Sequence, residues 1–517
     1  MRYLIILLLL LSLHVSAESP APNTAFEASM RVRTTTRLNE FAERNVETDL
    51  LTGESWFWTT YTYTTAFASG NNMLIDGTTP FGVALQPGDN VNVQPATALP
   101  GWRCVKILNT HGGVITSPST LINIRFVSGA FVWRNQGTQI QESQLTNVDG
   151  IRIVYLDYQD NSDVAFRLLG STQPSNIIID SSVFRNFPTL FAENSSSMSA
   201  FGGDTTKMFR HIKILNSTFD STQNGNFGDF INVGAINTKD FWYDLEIANC
   251  TFTRMFSNGG PSHAGTLTNV LSFNIHDNIV DSLGMLSNPN GHAAVWNIQG
   301  GFGTVKNNHH SHHFGNDFRI IGIYDMPNYG IVGADTMQNN LFDHKRKYPA
   351  IEPRDNAADI TTLSPYVRKR SIAYAYNNTG YSFALGTGLT PPSAFVASIY
   401  DWDGIDSVVC KNNSLAVLND STYNTSYFKI VTYQVGGAPL YIDSSNNTLS
   451  QFFSTSGLAD TVNYYPAPGG RMAGQGVPIQ SFITDAFGNI RVTPWDIGWR
   501  RIQSIVVIRR GVRVIAQ

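Results

Sequence analysis

His211-Ile212-Lys213-Ile214-Leu215-Asn216-Ser217-Thr218-Phe219 and Asp244-Leu245-Glu246-Ile247-Ala248-Asn249-Cys250-Thr251-Phe252 restate one phrase 33 residues apart. Apolar residues alternate, Asn with a small polar neighbour follows, and an aromatic residue closes. Alternation at period two is the mark of a strand with one buried face. Asn tolerates the left-handed backbone that a sharp bend requires, and its amide can bond to the same residue of a stacked neighbour. Weaker copies begin at Ile177, Phe273 and Gly303, and others centre on Asn339-Asn340, Asn377-Asn378, Asn412-Asn413 and Asn446-Asn447. A repeat of this length, too small to bury its own apolar face, predicts a solenoid whose coils cover one another. The fold class expected is all-β: a parallel β-helix solenoid with an Asn ladder along one edge.

Composition agrees with many short strands. Charged residues are only 14% of the 517, and 43 are Gly. A net charge of −4 gives no basic surface for nucleic acid. The three cysteines, Cys104, Cys250 and Cys410, are odd in number and far apart, which excludes a disulfide scaffold. Cys250 sits within a repeat and reads as a buried structural thiol. Met1-Arg2, the apolar run Leu4 to Leu13 and the small residues up to Ala17 read as a secretory signal peptide cut after Ala17. The run is too short to span a bilayer comfortably, and no later segment does so. Residues 1–17 are therefore expected as signal peptide, 18–84 as N-terminal extension and cap, 85–500 as the solenoid, and 501–517 as a closing strand. Within the extension, Trp56 to Phe67 reads as one long strand with aromatic residues on both faces; capping the open core is the commoner use of such a stripe, stacking on sugar rings the alternative. A secreted monomer is the expectation.

Asn-x-Ser/Thr occurs at Asn194, Asn216, Asn249, Asn377, Asn412, Asn419, Asn424 and Asn446. Most of these fall on the repeated bend, where an inward ladder residue is closed to a glycan, so the structural reading is preferred to glycosylation.

Leu85-Gln86-Pro87-Gly88-Asp89-Asn90-Val91-Asn92-Val93, Val105-Lys106-Ile107 and Leu121-Ile122-Asn123-Ile124 resemble the opening rungs of right-handed parallel β-helix proteins of the pectate-lyase-like superfamily, especially secreted bacterial members. Ala467-Pro468-Gly469-Gly470 through Asp485-Ala486-Phe487-Gly488-Asn489-Ile490-Arg491 to Asp496-Ile497-Gly498 looks like their closing segment. The resemblance covers about residues 85 to 500. It implies three strands per coil, with the Asn bend between the second and third. The first strands should then include Ala293 to Ile298, Asp317 to Ile321, Ala350 to Arg354 and Ser398 to Trp402. With Phe318, Ile320 and Ile351 inward, Asp317, Arg319, Glu352 and Arg354 share the outer face, extended by His292 and Asp401.

Related lyases cleave uronate polymers by β-elimination, which needs a neutralised carboxylate, a base for the C5 proton and an acid at the leaving oxygen. By that resemblance Asp317 and Glu352 would hold calcium or a sugar hydroxyl, and Arg319 or Arg354 would hold or deprotonate the substrate. Lys345, Arg346 and Lys347, with His292, would attract an acidic polysaccharide. The alternative is an exposed ladder of opposite charges. His309, His310, His312 and His313 follow Asn307-Asn308; alternation sets His310 and His312 on one face and His309, Ser311 and His313 on the other. A metal site is geometrically open to them, although a solvated turn is the simpler reading. His313, leading into the Asp317 strand, is the catalytic candidate among them. The Asn-Thr-Asp, Asp-Asp, Gly-His-Gly and Arg-Ile-Lys elements of polygalacturonases are missing, as is the Trp-Ile-Asp-His segment of pectate lyases. A secreted polysaccharide lyase and a non-catalytic carbohydrate-binding or adhesion protein are the two functions the residues allow.

Overall fold

A computed structural model describes 41 strands and their tight turns between Arg31 and Ala516. Residues 1–30 and the intervening segments, among them 194–207, 286–293, 345–350, 355–367, 400–406, 418–430 and 451–466, lie outside the described residues. Those described are all-β and stack as a parallel β-solenoid, with no helix among them.

Each coil has three strands. One complete coil is Gly228–Val233, Trp242–Ala248 and Thr251–Ser257. The second strands stack in register, with Ile177, Ile212 and Leu245 in one column and Ile179, Ile214 and Ile247 in the next. These side chains are almost wholly buried. Between them Lys213 and Glu246 stand in register on the opposite face. In Ser262–His276 and Ala294–Lys306 the first and second strands run together as single long strands. In the second of these Gly301 lets the backbone pass close to its neighbour: its φ is +94°, and a Cβ there would lie 1.7 Å from the Val270 carbonyl oxygen.

The third strands form an eleven-stranded sheet that carries the aromatic core. Tyr158, Phe184, Phe219 and Phe252 follow one another up the axis with centroid separations of 6.1, 5.2 and 4.8 Å. His310 continues this column, fully buried, and accepts from Trp296 Nε1 at 3.3 Å.

The bend between second and third strands divides its work between two residues. One is left-handed at every coil from Tyr155 through Ser181, Asn216, Asn249, Asp277, Asn307, Asn339, Asn377 and Asn412 to Asn446, with φ between +48° and +61°. The following residue points inward. At Ser182, Ser217 and Cys250 it is small and buried, and from Asn278 onward it is always Asn. Asn278, Asn308, Asn340, Asn378, Asn413 and Asn447 form the ladder, each Nδ2 donating to the next Oδ1 at 2.9–3.1 Å. Each also donates to a carbonyl of the coil before, as Asn340 does to Val305 at 2.9 Å. The expectation that one Asn serves both purposes is corrected for the continuous inner ladder: a residue with positive φ resets strand parity, so its side chain leaves the core and its successor enters it; outer Asn residues bond between coils only in places, as Asn412 Nδ2 does to Asn377 Oδ1 at 3.1 Å. The Asn of each sequon on this bend is the outer residue. Asn216 and Asn249 are accordingly exposed, not inward.

The parallel stacking reaches back before residue 85. Arg31–Arg37, Ala42–Asp49 and Ser55–Tyr63 form an antiparallel meander whose last strand pairs parallel with Asn90–Val93. Asn72–Asp76 likewise stacks on Cys104–Leu108. The Pro87-Gly88-Asp89 turn joins the two: Gly88 takes φ +90°, and Asp89 accepts from the Thr59 and Gln86 amides at 2.9 and 2.8 Å.

The segment 467–498 runs back along the outer Asn column, from late coils to earlier ones. Asn446 Nδ2 donates to Gln475 O at 3.2 Å, Asn412 exchanges two 2.8 Å bonds with Val477, and Asn339 donates to Thr484 O at 3.2 Å. Buried Arg491 fastens this strap, reaching Asn339 Oδ1 at 3.2 Å and Gly498 O at 2.7 Å. Beneath it Asn377 and Asn412 lose all exposure. The terminal strands Ile505–Ile508 and Arg513–Ala516 pair antiparallel with each other.

Candidate functional site

The strands bearing the charged candidates lie where the repeat places them. Asn316–Ile321 stacks on Ala294–Lys306, and Ile351–Arg354 stacks on Asn316–Ile321. Phe318 and Ile320 stand in register with Trp296 and Ile298, both fully buried. The intervening column runs Asn232, Thr266, Asn297, Arg319, Glu352. Arg319 and Glu352 are register partners, and Arg354 pairs with Ile321 in the next column.

Two polar atoms in this column have no hydrogen-bond partner: Thr266 Oγ1 and Asn297 Oδ1. Asn297 is only 5% exposed although its parity sets it on the face away from the core. A buried acceptor without a donor costs roughly 1–3 kcal/mol, so two in adjacent coils mark a place where stability has been given up. Asn297 is the register neighbour of Arg319, and Thr266 lies one coil before Asn297.

Glu352 stands opposite Arg319, not opposite Asp317. Asp317 and Glu352 are therefore diagonal positions in the register, one coil and two residues apart. Among the described residues no group of three or more His, Cys, Asp or Glu could hold a metal ion.

His313 ends the strand His309–His313, with His344 as its register partner. His292, Lys345, Arg346, Lys347 and Asp401 lie outside the described residues.

The expected alternation of the histidines is corrected. His310 is inside, but His312 has φ +50° and the register shifts beside it, so its ring is on the surface. There Nδ1 lies 2.7 Å from Asp281 Oδ1, which also accepts from Ser311 at 2.7 Å. His309 is held down to about 4 by burial and then by His310, so it is uncharged at neutral pH.

A second grouping crosses the outer face of the second strands. Lys213 Nζ lies 2.6 Å from Glu246, Glu246 lies 3.0 Å from His276 Nε2, and His276 Nδ1 lies 2.6 Å from Asp277. Hydrogen bonds to Asp277 and then Glu246 raise His276 to about 9; in return His276, with Lys213, pulls Glu246 down to about 2. Each group is matched by an opposite charge, which is how a sheet stabilises stacked coils.

Comparison of the chain with protein families, with curated proteins and with solved structures finds no match to any of the three.

Proposed function

We propose that the chain is an exported carbohydrate-active protein that cleaves an acidic polysaccharide by β-elimination along the first-strand face. The observation that carries this reading is the register column Thr266, Asn297, Arg319, Glu352, in which two unpartnered polar atoms precede a guanidinium and a carboxylate. A uronate needs such donors and acceptors for its hydroxyls and a cation for its carboxylate.

In the proposed reaction Arg319 and Arg354 neutralise the uronate carboxylate, which makes the C5 proton removable. His313, at the corner leading into the Arg319 strand, accepts that proton. The C5–H electrons become the C4–C5 double bond, the C4–O bond breaks, and the leaving oxygen takes up a proton. Asp317 and Glu352 orient sugar hydroxyls and the guanidinium groups. No step is routed through a metal.

Incubating the purified chain with a panel of uronate polymers, with and without calcium, and following the ultraviolet absorbance of the unsaturated product tests the proposal. Product is expected from at least one polymer and should fall by about 100-fold or more in Arg319→Ala and Arg354→Ala with the fold intact. Absence of product from every polymer sinks the lyase reading, and retained binding without cleavage favours a carbohydrate-binding protein. Unchanged activity in both variants moves the site elsewhere.

A further inference from the structure

The outer face of the second strands carries a feature remote in sequence from the Arg319 column. Ala375 and Met337 point into the core, so Tyr374 and Tyr376, with Thr336 and Gln338 of the preceding coil, stand on the opposite face. The Tyr374 and Tyr376 rings are near-parallel, 21° apart in plane and 5.5 Å between centroids. One coil on, Tyr376 is in register with Lys411; two coils on, the Tyr374 column reaches Asp443 through Val409. Lys411 Nζ lies 2.6 Å from Asp443, and the Tyr441 hydroxyl donates to the same carboxylate at 3.4 Å. Tyr441 is 55% exposed. Gln338, in register with Tyr376, is 5% exposed, and its Oε1 has no donor.

A tyrosine ladder that only stabilised stacked coils would cover its rings and pair its polar neighbours. Here the last ring is open and the amide beside the first pair lacks a partner. Aromatic faces take the C–H faces of pyranose rings, while an amide carbonyl, a carboxylate and an ammonium group bind the equatorial hydroxyls around them. Lys411 and Asp443 cancel each other's charge, so the patch offers no net attraction to a polyanion.

The geometry points to a binding site for a neutral polysaccharide on this face, with Tyr374, Tyr376 and Tyr441 as the stacking platform and Gln338, Lys411 and Asp443 as hydroxyl partners. It does not rest on the lyase reading, which concerns a different column and an acidic polymer.

Native gel electrophoresis of the full chain through hydroxyethylcellulose, xylan, galactomannan and polygalacturonate tests it. At least one of the three neutral polymers is expected to retard the protein. Tyr441→Ala and Tyr374→Ala should each weaken that retardation by about tenfold, while Tyr374→Phe, which keeps the ring, retains it. Tyr155→Ala, another exposed tyrosine on an early coil, should leave it unchanged. The proposal is overturned if no neutral polymer retards the chain, if only polygalacturonate does, or if the Tyr441→Ala and Tyr374→Phe proteins both behave like the parent and a folded Tyr374→Ala does too. Cleavage of acidic polymers should be the same in Tyr441→Ala as in the parent, which separates failure here from failure of the proposed reaction.

Discussion

Asp335 sits inside the bore with no exposure, one carboxylate oxygen accepting from the Gly303 amide at 2.9 Å and the other without a partner. Burial raises its pKa well above the usual carboxylate value, so the folded chain favours its protonated form. A raised folded pKa means that stability is fully present below the unfolded pKa and is lost as pH climbs toward the folded one. Asp335→Asn, which cannot ionise, should therefore stabilise the chain by about 1–2 kcal/mol at mildly alkaline pH and change little near pH 4, as read by denaturant midpoints at the two pH values. His276 runs on a different window. Raised from 6.5 to about 9 by its two carboxylates, it stabilises fully below the lower value and loses that contribution as pH rises through the upper. His276→Leu should cost about 1–3 kcal/mol at pH 6, with a shrinking penalty above pH 9; an equal penalty at both would show that the ring matters by shape alone.

Among the elements, the bend between second and third strands gives its outer and inner positions different work. Asn340→Ala removes ladder bonds on both sides and orphans buried partners, so about 2–4 kcal/mol of stability should be lost in chemical denaturation. Asn216→Gly exchanges one left-handed residue for another that adopts this conformation freely, and should cost under about 1 kcal/mol. Equal losses would mean that the roles of the two positions are not separate. The strands, their spacing and the Asn edge were legible because alternation and period are carried by the residues themselves. The split of roles was less so, yet Phe219 held the clue: counting by two from Ile214 puts Asn216 inside and Phe219 outside, and only a parity reset at Asn216 returns the aromatic residue to the core. The same reset at His312 was hidden, since neighbouring histidines give no polarity contrast to count by. The strands Asn316–Ile321 and Ile351–Arg354 followed from counting alone. The unpartnered Thr266 and Asn297 atoms did not, because what a side chain fails to meet depends on packing. The tyrosine platform was missed because Tyr441 joins Tyr374 and Tyr376 from two coils later, in a neighbouring column.

For the whole molecule, the ladder from Asn278 to Asn447 and the strap over Asn339 to Asn446 reinforce the same late coils, whereas earlier coils hold Leu156, Ser182, Ser217 or Cys250 at the ladder position. Repeat proteins unfold unit by unit according to local stability. Arg491→Met should free the strap without unfolding the coils beneath, seen as faster hydrogen exchange at the Val477 and Gly498 amides with the ladder amides still protected. The strap also acts as a ruler. Its anchors at Asn339, Asn412 and Asn446 fit a fixed number of coils, and each added coil would displace them by roughly 4.8 Å. A duplicated coil inserted before Asn308 leaves all three anchor spacings untouched. The same insertion after Asn377 separates Asn339 from Asn412, and the strap can then hold one end or the other. A duplicated coil is thus expected to be tolerated outside the strapped coils and not among them, and the number of coils from Asn339 to Asn446 is counted by the segment that crosses them.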